Sequence, residues 1–291
     1  RGSLEGIPPR DLLALFSGRD LLRRGVLTHV WLHARSQARY DEAAQSRDVK
    51  KELASAGFRK ELILANVRGL AKLVAGLAPP ERRSAWSGYG ADPGYAEADR
   101  EEKESFVREA VAHRRWPLVW DLGANTGVYS HLAAAGSDYL VALESDPSAV
   151  ERLFEEGRRS GTANLLPLVC DLADPSPGRG WRERERKDLP ERGMPDLVLC
   201  LALIHHLVIG ANLRLTEVLD WLAELGQFLV IEFVSREDPR VQGLLRHRDE
   251  LYEDYDLAVF EAELGSRFEV LRRQELPSGR RILYFARSRR R

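Results

Sequence analysis

The chain has 291 residues, and 44% of them are hydrophobic, which suits a folded chain with a sizeable core rather than a disordered one. Its longest uninterrupted apolar run, residues 197–204, is far shorter than the roughly 20 residues that a membrane-spanning helix needs. Lys and Arg total 44 and Asp and Glu total 45, so the net charge of −1 provides no global attraction to nucleic acid. Length and composition therefore predict one principal domain with an accessory region, outside any membrane.

Cysteine content and the chain ends bear on cellular setting. Cys170 and Cys200 are the only cysteines, and each lies within an apolar segment, so a disulfide framework is excluded. No apolar stretch with basic flanks opens the chain, and we expect a reducing, cytoplasmic location. The chain begins at Arg1 and its single methionine is Met194, which predicts a piece of a longer protein.

The N-terminal part of the sequence is helical in pattern. Apolar residues recur at three- and four-residue spacing on both sides of the polar stretch 39–48, from residue 11 to residue 77. Two consecutive prolines, Pro79 and Pro80, end the pattern. We therefore expect residues 1–80 to form a helical accessory region.

A turn-rich loop is predicted over residues 81–100. It contains three glycines and the aromatic residues Trp86, Tyr89 and Tyr95. Aromatic side chains on a glycine-rich loop suit a lid over a bound ligand. The same side chains also suit the simpler role of fixing the loop to the protein surface.

From residue 101 onward, a helix over 101–113 is followed by short apolar runs that alternate with helical patterns. The five predicted strands are 118–122, 139–143, 166–169, 197–203 and 228–233, and the helices between them are 128–135, 147–160 and 213–224. Strands that alternate with helices predict an α/β fold with a doubly wound parallel sheet. Two further runs, 268–271 and 282–285, flank a Leu-Pro-Ser-Gly turn and are too close for a crossover helix, so they predict an antiparallel hairpin.

The first predicted strand ends in a glycine turn that leads into a helix, an arrangement that brings backbone close to a ligand. The glycines are Gly123 and Gly127 with Asn125 between them, so the G-x-G-x-x-G spacing of a dehydrogenase is absent. Asp121 precedes the turn, and its carboxylate suits a cationic ligand better than a pyrophosphate. Segment 120–130, Trp-Asp-Leu-Gly-Ala-Asn-Thr-Gly-Val-Tyr-Ser, resembles motif I of the class I S-adenosylmethionine-dependent methyltransferases. Asn125 stands where glycine is more usual, and asparagine tolerates positive φ best among the other residues.

The resemblance implies a cofactor site built from acids at strand ends. Glu144, after the second strand, takes the position that grips both ribose hydroxyls in this family, and Asp146 is the alternative for that role. Asp171, followed by Leu172, takes the position that accepts the adenine amino group. The S-adenosylmethionine-binding residues expected from the resemblance are Asp121, Gly123, Asn125, Gly127, Glu144, Asp171 and Leu172.

The resemblance covers residues 100–287 and implies a seven-stranded sheet of order 3-2-1-4-5-7-6, with the last strand antiparallel. In finer detail, segments 171–177, 202–207, 231–234 and 238–245 resemble a bacterial group related to the host-specific nodulation methyltransferase type. That group also has a helical N-terminal region. Residues 101–291 are accordingly expected to form the S-adenosylmethionine-binding domain.

The fourth predicted strand leads into two adjacent histidines that face the reactive methyl in the fold implied by the resemblance. We predict that His205 is the catalytic proton acceptor, with His206 as a second candidate, although packing at a helix start explains such a pair equally simply. Two adjacent histidines make a poor metal site, so no metal is expected. In a metal-dependent alternative, Asp171 or Glu232 would provide further oxygen ligands. Glu232 lies in an apolar run and is either a site residue or half of a salt bridge.

The sequence favours a small-molecule, glycan-like or carrier-linked methyl acceptor, with O-methylation ahead of N- or C-methylation. One alternative is a nucleic-acid methyltransferase, because Arg287, Arg289, Arg290 and Arg291 form a basic tail. The other alternative is a non-catalytic cofactor-binding module. The mixed-charge segment 178–192 is expected to be a solvated helix or loop. A homodimer is a competing use for the apolar face of residues 11–77.

We expect the helical region and the aromatic loop to exclude water from the methyl-transfer site, because positioning and desolvation supply most of the catalysis of such a reaction. Deleting residues 1–78 should then abolish turnover, while cofactor affinity is largely preserved and the oligomeric state in solution is unchanged. Calorimetry, a methylation assay and light scattering on the truncated chain test this expectation. Normal methylation by the truncated chain would contradict it.

Overall fold

A computed structural model describes residues 6–35, 60–77, 97–246, 252 and 254–290. The chain divides into two compact units, residues 1–81 and residues 82–291. The predicted lid residues Trp86, Tyr89 and Tyr95 lie outside the described residues.

The elements described in the first unit are helices. They are α1 (Pro9–Ala14), a 3-10 turn (Asp20–Leu22), α2 (Arg24–Val26), a π-helical turn (Leu27–Trp31) and α3 (Lys60–Ala75). Gly25 lets α2 and α3 approach closely, because a Cβ atom at this position would lie 3.1 Å from the side chain of Leu73. Several apolar side chains of α3, among them Val67 and Val74, remain exposed in this unit.

The second unit is built on one seven-stranded sheet of order β3-β2-β1-β4-β5-β7-β6. The strands are β1 (Trp116–Leu122), β2 (Ser137–Glu144), β3 (Leu165–Val169), β4 (Leu197–Cys200), β5 (Phe228–Val234), β6 (Phe268–Glu275) and β7 (Arg281–Ser288). The helices are α4 (Glu97–Ala112), α5 (Val128–Ala135), α6 (Pro147–Ser160), α7 (Leu215–Leu225), α8 (Pro239–Leu245) and α9 (Leu257–Arg267). Strands β1 to β5 pair in parallel, and β7 pairs antiparallel with both β5 and β6. The predicted α/β fold and strand order are confirmed.

The apolar runs in the sequence account for the centre of the sheet. Every residue of β4 and β5 is buried, because hydrophobic clusters cover both faces of these strands. The edge strand β3 is more open, and Leu166 and Val169 are exposed on it. Because β1 to β5 are parallel, their carboxyl ends meet at one rim of the sheet, where ligands of doubly wound folds bind.

The structure corrects several predicted boundaries. Strand β4 ends at Cys200 rather than at residue 203, because the backbone turns at Ala202, whose φ is 50°. Helix α4 begins at Glu97, inside the segment predicted as loop, and the hairpin strands β6 and β7 are each eight residues long. The turn between them contains Gly279 at a φ of 68°, as the Leu-Pro-Ser-Gly sequence predicts.

The mixed-charge segment after β3 has little regular structure. An isolated antiparallel bridge joins Arg179 to Arg186, and a 3-10 turn (Trp181–Glu183) lies between them. Leu189 anchors the end of the segment in the core, whereas Trp181 is exposed. Among the described residues, no helix combines the length and apolar character needed to cross a membrane.

Gly127 and Gly161 provide a matched test of how the turn after β1 is packed. Both have positive φ, 84° and 73°, but a Cβ atom at Gly127 would lie 2.0 Å from Leu153 Cδ1, whereas nothing lies within 4 Å of one at Gly161. Both alanine variants should pay about 1–2 kcal/mol for the left-handed backbone. Gly127→Ala should lose a further ~1–3 kcal/mol of unfolding free energy through the clash.

Urea denaturation of both variants measures this difference. Equal losses of unfolding free energy for Gly127→Ala and Gly161→Ala would contradict the close packing between the turn and α6.

Candidate active site

The turn between β1 and α5 has three residues in the left-handed region. Gly123, Asn125 and Gly127 have φ values of 72°, 49° and 84°, so asparagine takes the conformation that the sequence predicts for it. The amides of Gly123 and Ala124 both donate to the carbonyl oxygen of Leu143, at 2.8 Å and 3.1 Å. These bonds tie the turn to the end of β2.

Glu144, the last residue of β2, is held in a fixed orientation by backbone amides. Its Oε2 accepts from the amide of Asn125 at 2.9 Å, and its Oε1 accepts from the amide of Asp146 at 2.8 Å. The residue is 7% exposed and faces a cavity. The Ser145 hydroxyl also donates to Oε1, at 3.1 Å. A carboxylate has about four acceptor positions, so one remains for a hydroxyl group of a ligand, and rotation of the Ser145 hydroxyl would free a second.

Asp146, the alternative to Glu144, has a structural role. Its carboxylate caps α6 by accepting from the amide of Ser148 at 2.9 Å. It does not contribute to the cavity wall. The geometry therefore favours Glu144 as the ligand-facing acid.

The cavity has a volume of about 340 Å³ and lies at the carboxyl ends of β1 to β4. Five of the seven predicted cofactor residues line it, namely Gly123, Asn125, Glu144, Asp171 and Leu172. Asp171 is exposed, and its Oδ1 accepts from the amide of Ala173 at 3.0 Å. Residues from three strand ends and one turn thus converge on a single space.

Asp121 and Gly127, the other two predicted cofactor residues, lie behind the wall. Asp121 is 3% exposed, and its Oδ2 accepts from the hydroxyl of Ser130 at 2.6 Å. Burial raises the pKa of Asp121 to about 6, although the Ser130 hydrogen bond and the charge of Lys103 act in the opposite direction. Gly127 is needed for packing, as its distance to Leu153 shows.

The two histidines after β4 are placed differently from the sequence expectation. His206 lines the cavity, whereas His205 is 0% exposed and does not. Their rings lie 4.1 Å apart, and the helical turn (His206–Gly210) that begins here points consecutive side chains in different directions. Within the described part of the chain, neither ring nitrogen of His205 has a hydrogen-bond partner.

Glu232 is half of a salt bridge, which decides between the two interpretations of this residue. It is 0% exposed, and its carboxylate contacts Lys103 Nζ at 2.5 Å and an Arg281 guanidinium nitrogen at 3.1 Å. It does not line the cavity. Among the described residues, no group of three or more His, Cys, Asp or Glu is arranged to hold a metal ion.

Lys103 is the residue of this region that the sequence analysis missed. It stands between Glu102 and Glu104 in an acidic helix, yet it shares a face with the buried residues Phe106 and Val107, three and four positions later. A lysine on the apolar face of a helix must find a buried partner. The three- and four-residue spacing from Lys103 to Phe106 and Val107 was the sequence signal that could have identified it as a buried lysine.

Comparison with known proteins identifies one curated relative, and no family model matches the chain. Nodulation protein NoeA from Rhizobium meliloti (strain 1021) is 33% identical over 289 residues. The match covers 98% of this chain and 60% of the relative, so the chain spans about three-fifths of the relative's length.

Solved structures of methyltransferases resemble the chain more distantly. The N-methyltransferase NodS from Bradyrhizobium japonicum WM9, in complex with S-adenosylhomocysteine, has a TM-score of 0.49 and 12% identity, covering 67% of this chain and 89% of that one. Magnesium protoporphyrin IX methyltransferase (ChlM) from Synechocystis PCC 6803, also with bound S-adenosylhomocysteine, has a TM-score of 0.45 and 19% identity, covering 66% and 86%. Both scores lie below 0.5, so the strand order of the chain itself decides the fold. That order, β3-β2-β1-β4-β5-β7-β6, is the one that the sequence resemblance to class I methyltransferases implies.

The donor set of the cavity fits S-adenosylmethionine, the cofactor of that class. Glu144 offers a fixed carboxylate for a ribose diol, and Asp171 offers an acceptor for an exocyclic amine. Leu172 and Leu203 provide apolar surface, and the missing side chain of Gly123 leaves room that a Cβ atom would fill, 3.0 Å from Leu203 Cδ1.

His206 makes stability depend on pH in a defined direction. Burial and the charges of Arg240 and Arg281 lower the pKa of His206 to about 4, against about 6.5 in an unfolded chain. Between these values the unfolded chain binds a proton that the folded chain does not, so the free energy of unfolding falls as the pH falls from about 6.5 to 4. His206→Gln should reduce the loss between pH 7 and pH 4 by up to about 3 kcal/mol.

Urea denaturation of the wild type and His206→Gln across this pH range measures the contribution. Burial, and then the charge of His206, lower the pKa of His205 well below its usual value, so the comparison measures His206 together with its effect on His205. Identical pH dependence in the two proteins would contradict the placement of His206.

Proposed function

We propose that this chain is an S-adenosylmethionine-dependent methyltransferase that acts on a small-molecule, glycan-like or carrier-linked acceptor, with O-methylation favoured. The observation that carries the proposal is the convergence of Gly123, Asn125, Glu144 and Asp171 on one cavity that continues to His206. A cofactor bound there would supply an activated methyl group on a sulfonium. Glu144 would hold the ribose, and Asp171 with Leu172 would hold the adenine.

The acceptor end of the cavity supports a neutral substrate. Around His206 the wall is formed mainly by apolar side chains, including Leu201, Leu207 and Leu244. An apolar wall stabilises uncharged groups and disfavours charged ones. A hydroxyl group satisfies this condition at neutral pH, whereas an ordinary amine is protonated and charged.

We assign the contact with the acceptor to His206 and a supporting role to His205. The low pKa of His206 keeps its imidazole neutral at pH 7, so the ring can accept a hydrogen bond from a hydroxyl group and orient it. Such a weak base takes the proton late, as the oxygen is methylated. His205 packs against His206 from the buried side and limits the orientations of its ring.

The basic C-terminal tail gives no support to the nucleic-acid alternative. The guanidinium group of Arg287 contacts Glu269 at 2.5 Å, and that of Arg290 contacts Asp220 at 2.6 Å and Glu224 at 2.5 Å. These acids compensate the charges of Arg287 and Arg290, and Arg289 donates to the carbonyl oxygen of Gly265. A single arginine without an acidic partner among the described tail residues does not form the basic patch that phosphate binding requires.

Cofactor binding is tested by calorimetry with S-adenosylhomocysteine on the wild type and two neighbouring acid variants. Glu144→Gln should lose about tenfold to a hundredfold in affinity, because hydrogen bonds to a charged group contribute roughly 1.5–3 kcal/mol each. Asp146→Asn should retain wild-type affinity, since that carboxylate caps a helix. Absence of wild-type binding, or equal losses in both variants, would contradict the assignment.

The acceptor class is tested by incubating the protein and isotopically labelled S-adenosylmethionine with an extract of the source cells. We expect label in the small-molecule or carrier-linked fraction, with the carbon chemical shift of an O-methyl group. His206→Gln should lower kcat more than it changes KM for the cofactor. Label confined to nucleic acid would favour the nucleic-acid alternative, and cofactor binding without any labelled product would favour the non-catalytic module.

A further inference from the structure

A buried network of four charges lies beneath the carboxyl ends of β1 and β5. Glu232 contacts Lys103 at 2.5 Å and Arg281 at 3.1 Å, and Arg281 also contacts Asp238 at 2.9 Å. Each of these side chains is at most 7% exposed. Two cations and two anions balance, which is the condition under which buried charges are tolerated.

Charge balance accounts for a cation next to Glu232, since without Lys103 the network would hold two anions and one cation. Balance does not by itself fix where that cation lies. The other neighbours of Lys103 show which further group its charge reaches.

The second neighbour of Lys103 is the helix that follows the glycine turn. Its Nζ lies 4.6 Å from the ring centroid of Tyr129 in the first turn of α5, a cation–π distance. The next residue, Ser130, donates the 2.6 Å hydrogen bond to Asp121. The ammonium group thus lies under the part of α5 that holds Asp121.

Asp121 needs compensating charge because burial acts against its ionised form. The ionisable groups around it are Glu144 on β2, Cys200 on β4 and Lys103 on α4, with Glu232 next to Lys103. Glu144 raises the pKa of Asp121, whereas Lys103 and the Ser130 hydrogen bond lower it. Within the described part of the chain, Lys103 is the cation whose charge favours the carboxylate.

We propose that Lys103 is a positioning residue of the cofactor site. Held by Glu232 and placed against Tyr129, its ammonium group keeps Asp121 ionised behind the turn that runs from Gly123 to Gly127, and the turn thereby presents negative potential to a cationic cofactor. This inference rests on the proposed function. It makes cofactor affinity depend on pH through Asp121, with Lys103 setting the pH at which affinity falls.

The test is calorimetric titration of S-adenosylhomocysteine, which retains the α-ammonium group of the cofactor, between pH 5 and pH 8.5. Affinity of the wild type should fall as the pH drops through about 6, the pKa of Asp121. In Lys103→Met the midpoint should move up by about one pH unit or more, the usual effect of a nearby opposite charge. Affinity at pH 7 should fall up to about tenfold and recover by pH 8.5.

Three control variants separate this effect from a structural one. Lys103→Arg retains the positive charge and should restore the wild-type profile, and Lys187→Met removes an exposed lysine and should leave it unchanged. Asp121→Asn should abolish the pH dependence. A uniform loss of affinity at all pH values in Lys103→Met would overturn the proposal, because a packing defect does not depend on the ionisation of Asp121.

A second variant covers the possibility that Lys103→Met does not fold. The double change Lys103→Met with Glu232→Gln removes one cation and one anion and leaves the pair of Arg281 and Asp238 intact. It should show the same upward shift, and a wild-type profile in this variant or in Asp121→Asn would overturn the proposal. Failure of the wild type to bind at any pH would instead refute the proposed function.

Discussion

The left-handed turn between β1 and α5 is the constraint on which the rest of the site depends. Its shape requires positive φ at Gly123, Asn125 and Gly127, and close packing against α6 leaves no room for a side chain at Gly127. The turn is tied to β2 by amides that donate to Leu143 and Glu144. One backbone conformation therefore fixes the amide groups, the orientation of the Glu144 carboxylate and the floor of the cavity together.

The rim of the sheet holds acids that are stabilised in three different ways. Asp121 receives a hydroxyl hydrogen bond and the field of Lys103, Glu144 receives two backbone amides, and Glu232 receives two cations. Only Glu144 of these three faces the cavity. The partners of a buried carboxylate, rather than its charge, therefore decide whether it is available to a ligand, as we propose for Glu144, or is held within the protein, as Glu232 is.

The sequence contains enough local information to predict the alternating strands and helices and the closing hairpin, and the resemblance to class I methyltransferases supplies the order of the strands. It also predicts Asn125 in the left-handed region and Glu144 at the site. Which of His205 and His206 lines the cavity depends on a turn only five residues long, which local patterns do not define. The partners of Glu232 lie 129 and 49 residues away, so only the folded chain shows that Glu232 is anchored by Lys103 and Arg281.

We propose that the turn and Glu144 form one cofactor-binding unit. Crystallisation of the chain with S-adenosylhomocysteine tests this most directly. We expect a ligand whose ribose hydroxyls contact the Glu144 carboxylate, with its homocysteine portion against the Gly123 turn and Asn125 still in the left-handed conformation. A ligand bound elsewhere, or one whose ribose contacts a different acid while Glu144 keeps only its partners within the chain, would contradict this assignment.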